Sequence, residues 1–466
     1  MTQEGAFRFF LFLFFAGLYL LCTPGHFYTV DSYVSYWTTQ SLVLEGSLQI
    51  AENRISVPMA EGGSTGRYGP LQMVLCVPLY VAGEFMERIW PYPIYVYRDW
   101  RVVFVATFNQ WIGAAALVVF YSILRKLGYA RKPCFAAACV FGFASPWWTY
   151  ALDLFRQPLA GLLFLWAIAE ALNFGRAKDA GSLIRFGAAV GLSITNRLTA
   201  VAAWPGLFVL LASRFGRKWE KKTVLQAVGV IGVLLAVGIA AQIAVNYIRF
   251  DHWWGWAYEN RKFRLGWLAR NLPDLLLSPA RGLLLFAPPL VLAVHGFLAT
   301  WRKDRSFALA LALMIAAKLL MFGTYEDYTG GMNPGPRYLI PIMAVLFLYV
   351  GVLICEEWNN RTFRYSMGFL AGLGFVVNGF NCLIPYILTL TFWDQIFRLF
   401  GQTYEGIPPW NTRVDLYDLL VVRWLFDGFY FSIAVYVPLM LSIVLFAWTR
   451  IRPLLREESR EVETSR

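Results

Sequence analysis

The chain has 466 residues, of which 58% are hydrophobic and only 15% are charged. This composition is too apolar for an ordinary water-soluble protein, and runs of about 18 or more mostly apolar residues recur from end to end. The formal charge of +12 comes from basic residues between the apolar runs, which indicates contact with anionic lipid rather than with nucleic acid. The sequence therefore predicts an all-α polytopic protein whose first partner is the membrane lipid bilayer.

The first apolar run, 9–21, is not followed by a small-residue cleavage site, so we predict a retained membrane helix rather than a signal peptide. The next stretch, FYTVDSYVSYWTTQSLVLEG (27–46), is typical of an amphipathic helix on a membrane surface, and it opens with the carboxylate of Asp31. A further apolar run, 70–85, is predicted to be a juxtamembrane helix on the outer face. Counting it as a span would place the basic loop 125–133 outside.

Short basic segments between the apolar runs set the predicted orientation. By the positive-inside rule they face the cytoplasm, which gives about twelve spans with both termini inside. The basic segments are 125–133, 174–185, 213–222, 301–306, 359–364 and the C-terminal tail. The approximate span cores are 8–22, 101–124, 134–150, 156–173, 184–196, 198–213, 223–246, 281–299, 306–323, 337–355, 365–387 and 429–449. The long aromatic loops then lie outside, at 24–100, 246–280, 324–336 and 388–428.

Residue types that serve other chemistries are present without the required spacing. The six cysteines lie mostly in apolar runs and are predicted to be packing thiols. The three histidines have no ligand spacing, so no zinc site is predicted. A nucleotide-binding glycine loop is also missing, which argues against an ATP-driven pump and against an enzyme that uses a cytosolic nucleotide sugar.

Several motifs together resemble the GT-C superfamily of membrane glycosyltransferases. They are Asp31 just after the first span, GRYGPLQ (66–72), SPWWTYALDLFRQPLAG (145–161), GLSITNRLTA (191–200), NYIRF (246–250), LLLSPARGLLLFAPPLVL (275–292) and YTGGMNPGPRYLIPIMAVL (328–346). The resemblance is to the lipid-carrier-dependent branch of protein O-mannosyltransferases and aminoarabinose transferases, similar to bacterial glycosyltransferase family 39. It predicts a GT-C-like catalytic module over 1–355, including the first outer loop. The remainder, 356–466, would hold C-terminal membrane helices, the outer loop 388–428 and the basic tail.

The resemblance implies an inverting glycosyltransferase in the bacterial inner membrane, with its active site on the extracytoplasmic side. It would move a sugar from a polyprenyl-phosphate carrier to a hydroxyl of a lipid, glycan or protein, with Asp31 as general base. Many relatives have a second acid beside the first, whereas this chain has Ser32. A second interpretation makes Asp31 the N-cap of the helix that follows.

Arginines near the predicted outer ends of spans are candidates for donor binding. Arg67 and Arg337 stand in motifs where the resemblance implies phosphate contacts, because a guanidinium can bind two phosphate oxygens at once. Tyr68 would line the same pocket. Arg281, in SPARGL, faces the same predicted surface. For Arg67, a side chain that snorkels to the membrane interface is the simpler alternative.

Four further residues complete the predicted donor site. The resemblance implies that Asp153 helps to shape the sugar pocket, with Arg156 beside it. A local ion pair between these two residues is the alternative. Glu326 and Asp327 would bind sugar hydroxyls or a divalent cation, or else belong to a solvated turn. The aromatic cluster HWWGWAY (252–258) could stack on sugar rings or isoprene units, but it is more typical of membrane-interface anchors.

Two other function classes stay open at the level of the sequence. A flippase or polymer ligase for lipid-linked oligosaccharides is also a many-helix protein with aromatic outer loops. A secondary transporter would carry broken helices and ionisable residues near the bilayer midplane. Lys318 is the one basic residue well inside a predicted span.

Overall fold

Helices make up most of the chain that the structure describes. The structure is a computed structural model, and it describes residues 2–23, 25–53, 55–90, 99–216, 221–253, 262–278, 281–330, 335–383 and 437–464. The predicted outer loop 388–428 and most of the aromatic cluster 252–258 lie outside the described residues.

The first two helices follow one another across a short turn. Helix α1 spans Gln3–Leu21, and the Thr2 hydroxyl caps it by accepting a hydrogen bond from the Gly5 amide at 3.2 Å. Helix α2 spans Val30–Leu44. It agrees with the helix that the sequence predicts within 27–46.

A small antiparallel sheet and a third helix complete the first loop. The strands are β1 (Gln49–Ile50), β2 (Ser56–Pro58) and β3 (Ser64–Gly66), with β3 between the other two. Helix α3 spans Leu71–Ile89 and packs against α2 and against α4 (Trp100–Ala106). The sequence predicts this helix at 70–85.

The remaining helices follow in chain order, with 3₁₀ turns between some of them. The first group comprises α5 (Phe108–Lys126), α6 (Arg131–Phe143), α7 (Trp147–Ala151), α8 (Gln157–Ala177), α9 (Ala180–Asn196), α10 (Trp204–Ser213) and α11 (Lys221–Phe250). The second group comprises α12 (Leu268–Leu277), α13 (Leu283–Phe286), α14 (Ala293–Lys303), α15 (Arg305–Gly323), α16 (Ile340–Glu356), α17 (Arg361–Leu383) and α18 (Val437–Thr464). The 3₁₀ turns are Leu198–Ala203, Leu265–Trp267, Pro288–Leu292 and Arg337–Leu339.

Seven helical segments of the described chain are long and apolar enough to cross a membrane. They are Gln3–Leu21, Trp100–Lys126, Gln157–Ala177, Lys221–Phe250, Arg305–Gly323, Arg337–Glu356 and Val437–Glu458. Helix α3 is not among them, and its position outside the bilayer stays a prediction. The chain is therefore an all-α multi-pass membrane protein, and the count of twelve spans stays a prediction.

Prolines interrupt two predicted spans in the structure. Within 134–150, α6 ends before Pro146 and the short helix α7 begins after it. Within 281–299, a 3₁₀ turn that starts at Pro288 and Pro289 separates α13 from α14. Proline has no amide hydrogen to donate and clashes with the preceding turn, so an apolar run that contains it need not form one straight helix.

The burial of each helix follows its composition. Helix α16 is apolar all round, and nearly every residue from Ile340 to Cys355 is buried at the centre of the packed helices. Helix α11 is also apolar, but most of its side chains are exposed, as expected for a helix that faces lipid. It packs against α9 along one side.

A network of ion pairs joins α1, α5, α6 and α18 at one end of the helices. Arg125 pairs with Glu458 at 2.9 Å and with Glu4 at 3.6 Å, and Arg131 pairs with Glu4 at 3.3 Å. This end, which we call the Glu4 end, lies at the far terminus of α5 from the turn that carries Asp153. The Glu4 end and the end that carries Asp153 therefore hold different charged residues.

Candidate active site

Asp31 is the second residue of α2 and lies in its first turn. Thr29 is the N-cap, because its hydroxyl accepts the hydrogen bond of the Ser32 amide at 3.3 Å. The interpretation of Asp31 as the N-cap is therefore wrong. Its carboxylate does not serve the helix terminus and is directed to other partners.

Both oxygens of the Asp31 carboxylate are engaged by side chains from distant segments. The Tyr68 hydroxyl donates to Oδ1, and the Arg337 guanidinium donates to Oδ2 and forms an ion pair with it. Burial by itself raises the pKa of Asp31, but the charge of Arg337 and the hydrogen bonds from Tyr68 and Arg337 outweigh it. The pKa of this carboxyl is therefore lowered from its ordinary value, and Asp31 is ionised at neutral pH.

Arg337 begins the 3₁₀ turn that leads into α16, and its side chain is only 11% exposed. Besides Asp31 it donates to the Gly330 carbonyl at 3.1 Å, and its guanidinium lies 4.9 Å from the centre of the Phe155 ring. Gly330 has a φ of +70°, and a Cβ on it would lie 3.2 Å from the Cβ of Arg337. A glycine therefore fits the chain here without strain and leaves room for the arginine.

Tyr68 connects three charged side chains. Its hydroxyl donates to Asp31, its ring lies 3.6 Å from the guanidinium carbon of Arg156, and its carbonyl accepts from Arg249 Nη1 at 2.6 Å. The next residue, Gly69, approaches α9 so closely that a Cβ would lie 2.3 Å from the Thr195 carbonyl oxygen. This close approach holds Tyr68 between α2 and the end of α9.

A cavity of about 400 Å³ opens beside this group. Its lining includes cationic and polar residues, which are Arg67, Arg156, Asn196, Arg197, Gln242, Asn246 and Arg249. It also includes apolar or aromatic residues, which are Leu198, Phe250, Phe263, Met321, Phe322, Tyr325 and Tyr338. A lining of this composition suits an amphiphile with an anionic head and an apolar tail.

The cavity and Asp31 are adjacent through shared residues. Arg156 lines the cavity and stacks on Tyr68, which binds Asp31. Tyr338 also lines the cavity and follows Arg337 in the chain. Arg67 reaches the same wall and is held by a hydrogen bond from its Nε to the Ile55 carbonyl at 2.8 Å.

The polar face of α11 also belongs to the site, although the sequence analysis does not predict its residues as site residues. Gln242, Asn246 and Arg249 all line the cavity, and Gln242 donates to Asn246 at 3.1 Å. Their spacing of four and three residues places them on one face of an otherwise apolar helix. That spacing is the sequence signal for this face, because polar residues inside a membrane helix are costly and usually functional.

Asp153 lies in the turn between α7 and α8 and is only 3% exposed. Its carboxylate accepts hydrogen bonds from the Thr29 hydroxyl at 3.0 Å and from the Leu154 amide at 2.8 Å. Burial raises its pKa to about 6, although these bonds and one from Ser32 oppose the shift. Asp153 thus supports the start of α2. Arg156 stacks on Tyr68 instead of forming a local ion pair with Asp153.

Glu326, Asp327 and Arg281 are not among the residues that line the cavity. Glu326 is exposed and accepts a hydrogen bond from the Lys262 amide at 3.2 Å, and Asp327 accepts one from Thr329 at 3.4 Å. Arg281 lies near Tyr328 and is not one of the lining residues. Within the described ranges, no group of three or more His, Cys, Asp or Glu side chains is placed to hold a metal ion.

Lys318, in α15, is buried and satisfied by protein groups. Its ammonium donates to the Thr199 carbonyl and lies 5.7 Å and 5.4 Å from the ring centres of Phe164 and Phe322. A carbonyl and aromatic faces stabilise a buried cation. These contacts therefore explain how the charge of Lys318 is accommodated inside the protein.

Comparison with known proteins identifies the fold. No protein-family model matches the sequence, and no curated protein matches it. Among solved structures, the chain is similar to ArnT from Cupriavidus metallidurans bound to undecaprenyl phosphate. The TM-score is 0.51 and the identity 17%, over 96% of this chain and 76% of that one. ArnT is a member of the GT-C superfamily. This chain has the GT-C fold.

Two more GT-C structures show weaker likenesses. The Archaeoglobus fulgidus oligosaccharyltransferase in the apo form has a TM-score of 0.47 at 11% identity, over 85% of this chain and 60% of that one. The S. cerevisiae protein O-mannosyltransferase Pmt1-Pmt2 complex bound to the sugar donor has a TM-score of 0.40 at 16% identity, over 52% and 33%. The fold assignment rests on ArnT. It confirms the GT-C fold class that the sequence motifs predict, while activity has to be argued from the site.

Proposed function

We propose that this GT-C protein is an inverting glycosyltransferase. It moves a sugar, linked through phosphate to a polyprenyl carrier, to an extracytoplasmic acceptor hydroxyl. The observation that carries the proposal is the carboxylate of Asp31, held by Tyr68 and Arg337 beside a cavity that is lined by both arginines and apolar residues. The undecaprenyl phosphate bound in the ArnT structure supports a ligand of this class.

In the proposed reaction Asp31 is the general base. Its side chain is 21% exposed, so an acceptor hydroxyl can reach it. The hydroxyl oxygen attacks the anomeric carbon while its proton passes to Asp31, and the bond from that carbon to the phosphate oxygen breaks. The electron pair of that bond stays on the phosphate, which leaves with the lipid. A single displacement inverts the anomeric centre.

Arg337 couples donor binding to the pKa of Asp31, the proposed base. It is paired with Asp31 in the structure, and the donor phosphate is an anion that competes for the same guanidinium. When Arg337 turns to the phosphate, Asp31 loses its cationic partner and its pKa rises toward the range in which a carboxylate accepts a proton. The arginine then stabilises the charge that develops on the leaving phosphate.

The test is a transfer assay on purified protein. A panel of radiolabelled sugars on polyprenyl monophosphate and diphosphate carriers is offered with membrane extracts as acceptor. We expect transfer by the wild type and a loss of about 10²–10⁴ in rate for Asp31→Asn, because the amide cannot take the proton. The matched control is Asp327→Asn, a carboxylate that is not among the residues lining the cavity.

Two outcomes would reject the proposal. Transfer by Asp31→Asn at the wild-type rate would remove Asp31 as the base. Tight donor binding without transfer by the wild type would favour a flippase for lipid-linked sugars. A radiolabelled donor that crosses a proteoliposome membrane would be the positive sign of that alternative.

A further inference from the structure

The turn between α7 and α8 supports both hydrogen-bond partners of the Asp31 carboxylate. The Phe155 ring lies 4.9 Å from the guanidinium carbon of Arg337. The guanidinium carbon of the next residue, Arg156, lies 3.6 Å from the centre of the Tyr68 ring. Because Arg337 and Tyr68 donate to the two oxygens of the carboxylate, a shift of this turn would displace both donors.

The same turn also holds the helix that carries Asp31. The Asp153 carboxylate accepts a hydrogen bond from the Thr29 hydroxyl at 3.0 Å, and Thr29 is the N-cap of α2. We call residues 153–156 the site turn. Its contacts reach the helix of the carboxylate and both side chains that donate to it, so its position affects the whole group.

Three buried carboxamides from three different helices hold the site turn. Asn109, in α5, donates to the carbonyls of Asp153 and Phe155 at 2.5 Å and 2.6 Å. Gln72, in α3, donates to the second of these carbonyls at 3.2 Å. Asn196, at the end of α9, donates to the last carbonyl of the turn at 3.0 Å. All three side chains are fully buried, so water does not take the place of these bonds.

Each of these amides leaves its own oxygen unsatisfied. The side-chain oxygens of Gln72, Asn109 and Asn196 are buried and have no hydrogen-bond partner in the part of the chain that the structure describes. Reversing an amide would place its oxygen against a carbonyl oxygen, so the orientation is fixed by the turn. An unsatisfied buried polar atom is costly, and polar residues in apolar helices usually serve a function. The cost therefore indicates that the position of the turn matters.

We infer that Asn109 is a positioning residue, which holds the site turn so that Arg337 stays on the Asp31 carboxylate. Asn109 is not one of the residues that line the cavity. Of the three amides it alone donates to two carbonyls of the turn, one of them that of Phe155, whose ring lies against Arg337. The effect on catalysis rests on the proposed function, whereas the effect on the carboxylate does not.

The test measures the protonation of Asp31 without a transfer reaction. A hydrophobic carbodiimide reacts with protonated carboxyl groups, and peptide mass spectrometry gives the labelled fraction of Asp31 in the full-length protein in detergent. Burial raises the pKa of this carboxyl, whereas Arg337, Tyr68 and Arg156 lower it. Asn109→Leu is nearly isosteric and removes both bonds to the turn. We expect the labelled fraction at about pH 6 to rise about threefold or more, because the donors are held less firmly while burial remains.

Asn378→Leu is the matched control. Asn378, in α17, is also fully buried, donates to the carbonyls of Phe286 and Gly374 at 2.8 Å each, and leaves its own oxygen unsatisfied. It should lower the melting temperature much as Asn109→Leu does and leave the labelling of Asp31 at the wild-type level. An equal rise in both variants, or no rise in a folded Asn109→Leu, would overturn the inference.

Gln72→Met is the second variant, in case Asn109→Leu does not fold. It conserves volume and removes one bond to the Phe155 carbonyl, so labelling of Asp31 should rise by a smaller factor. Labelling at the wild-type level in Gln72→Met would then overturn the inference. In the transfer assay, the acid limb of the pH profile should move to higher pH in Asn109→Leu and stay in place in Asn378→Leu. A wild type that transfers no sugar would refute the proposed function, while the labelling would still decide the role of Asn109.

Discussion

At the scale of single residues, the hydrogen-bond partners of Asp31 determine how readily its carboxylate accepts a proton. A carboxylate that accepts from both Tyr68 and Arg337 is held in one orientation but is a poor base, because both partners stabilise its charged form. If Asp31 is the general base, as proposed, it would be restrained until an anion takes Arg337 away. This arrangement would prevent Asp31 from accepting a proton when no donor is bound.

The first prediction concerns this pair. Arg337→Gln should raise the pKa of Asp31, because the nearby positive charge is removed while burial remains. The acid limb of the kcat/KM profile should then move to higher pH, and KM for the donor should rise about tenfold or more. Transfer rates measured from about pH 4 to about pH 8 would show both effects.

Arg67→Gln is the matched control for that profile. Arg67 lines the cavity and is bonded to the Ile55 carbonyl, so its loss should raise KM without moving the acid limb. An acid limb at the wild-type position in Arg337→Gln would mean that the ion pair does not govern the titration of Asp31.

The second prediction concerns Asp153, whose pKa is raised to about 6 by burial. The folded protein then binds more protons than the unfolded chain between about pH 4 and about pH 6, so this residue makes stability fall as pH rises through that window. Asp153→Asn keeps acceptor and donor atoms for Leu154 and Thr29 and removes the titration. At pH 7 the variant should be as stable as the wild type or more stable, by up to about 3 kcal/mol.

Thermal unfolding of both proteins at several pH values tests this prediction. Other groups also titrate, so the useful quantity is the difference between the two melting temperatures at each pH. That difference should grow from about pH 4 to about pH 6. A constant difference would show that Asp153 is ionised throughout, and its environment would have to be more polar than its burial indicates.

At the scale of helices, glycines set the position of α11 on α9. A Cβ on Gly238 would lie 2.5 Å from the Gly191 carbonyl oxygen, and one on Gly191 would lie 2.6 Å from the Leu234 carbonyl oxygen. Small residues at such crossings let helix backbones approach closely in a membrane. The crossing matters for the site, because α9 ends with Asn196 and α11 carries Arg249.

The third prediction follows from this crossing. Gly238→Ala should force the two helices apart and destabilise the protein by about 1–3 kcal/mol, because the neighbouring atoms are backbone and cannot turn away. It should also weaken donor binding by moving Arg249. Gly232→Ala, on the same helix with no atom within 4 Å of the added Cβ, is the control and should leave both properties nearly unchanged. Melting temperatures and donor binding in detergent are the measurements, and equal behaviour of the two variants would contradict the close crossing.

The helices also show where sequence patterns stop being sufficient. The helix over Val30–Leu44 is predicted from its local sequence, but its amphipathic surface character is not found, because its buried residues are mostly Ser and Thr and only Val30 and Leu44 are exposed. The predicted span 281–299 is equally apolar, yet the structure interrupts it at Pro288 and Pro289. Hydropathy measures how well a segment tolerates lipid, whereas the path of its backbone depends on proline geometry and on the neighbouring helices.

At the scale of the whole molecule, the arrangement of charge gives a predicted orientation. The Glu4 end carries basic loops, and by the positive-inside rule it faces the cytoplasm. The cavity with Asp31 then opens to the outside, where a lipid-carried donor would be used. This orientation and the number of spans are predictions from the sequence.

The fourth prediction tests the orientation. Leu127→Cys, after α5, and Arg361→Cys, at the start of α17, should react with a membrane-impermeant thiol reagent only after the cells are opened. The wild type is the control, because its six native cysteines are buried or half-buried within helices and their flanks. Labelling of either introduced cysteine in intact cells would overturn the topology.

Composition and periodicity by themselves determine that this chain is a multi-pass helical protein, because the cost of exposing backbone polar groups to lipid leaves few alternatives. The order of short motifs also predicts the GT-C fold, and it singles out Asp31, Tyr68 and Arg337. These motifs are local, so each can be read without knowledge of what lies opposite.

The contacts of the site are decided only by tertiary structure. Asp31 and Arg337 are more than 300 positions apart in the chain, and nothing in either motif states that their side chains form an ion pair. The spacing of Gln242, Asn246 and Arg249 indicates a polar face, but only the crossing of α9 and α11 directs that face into a cavity rather than into another helix. Long-range packing brings these residues together, because each helix buries whichever face its neighbours leave open, and the sequence of one segment does not contain that information.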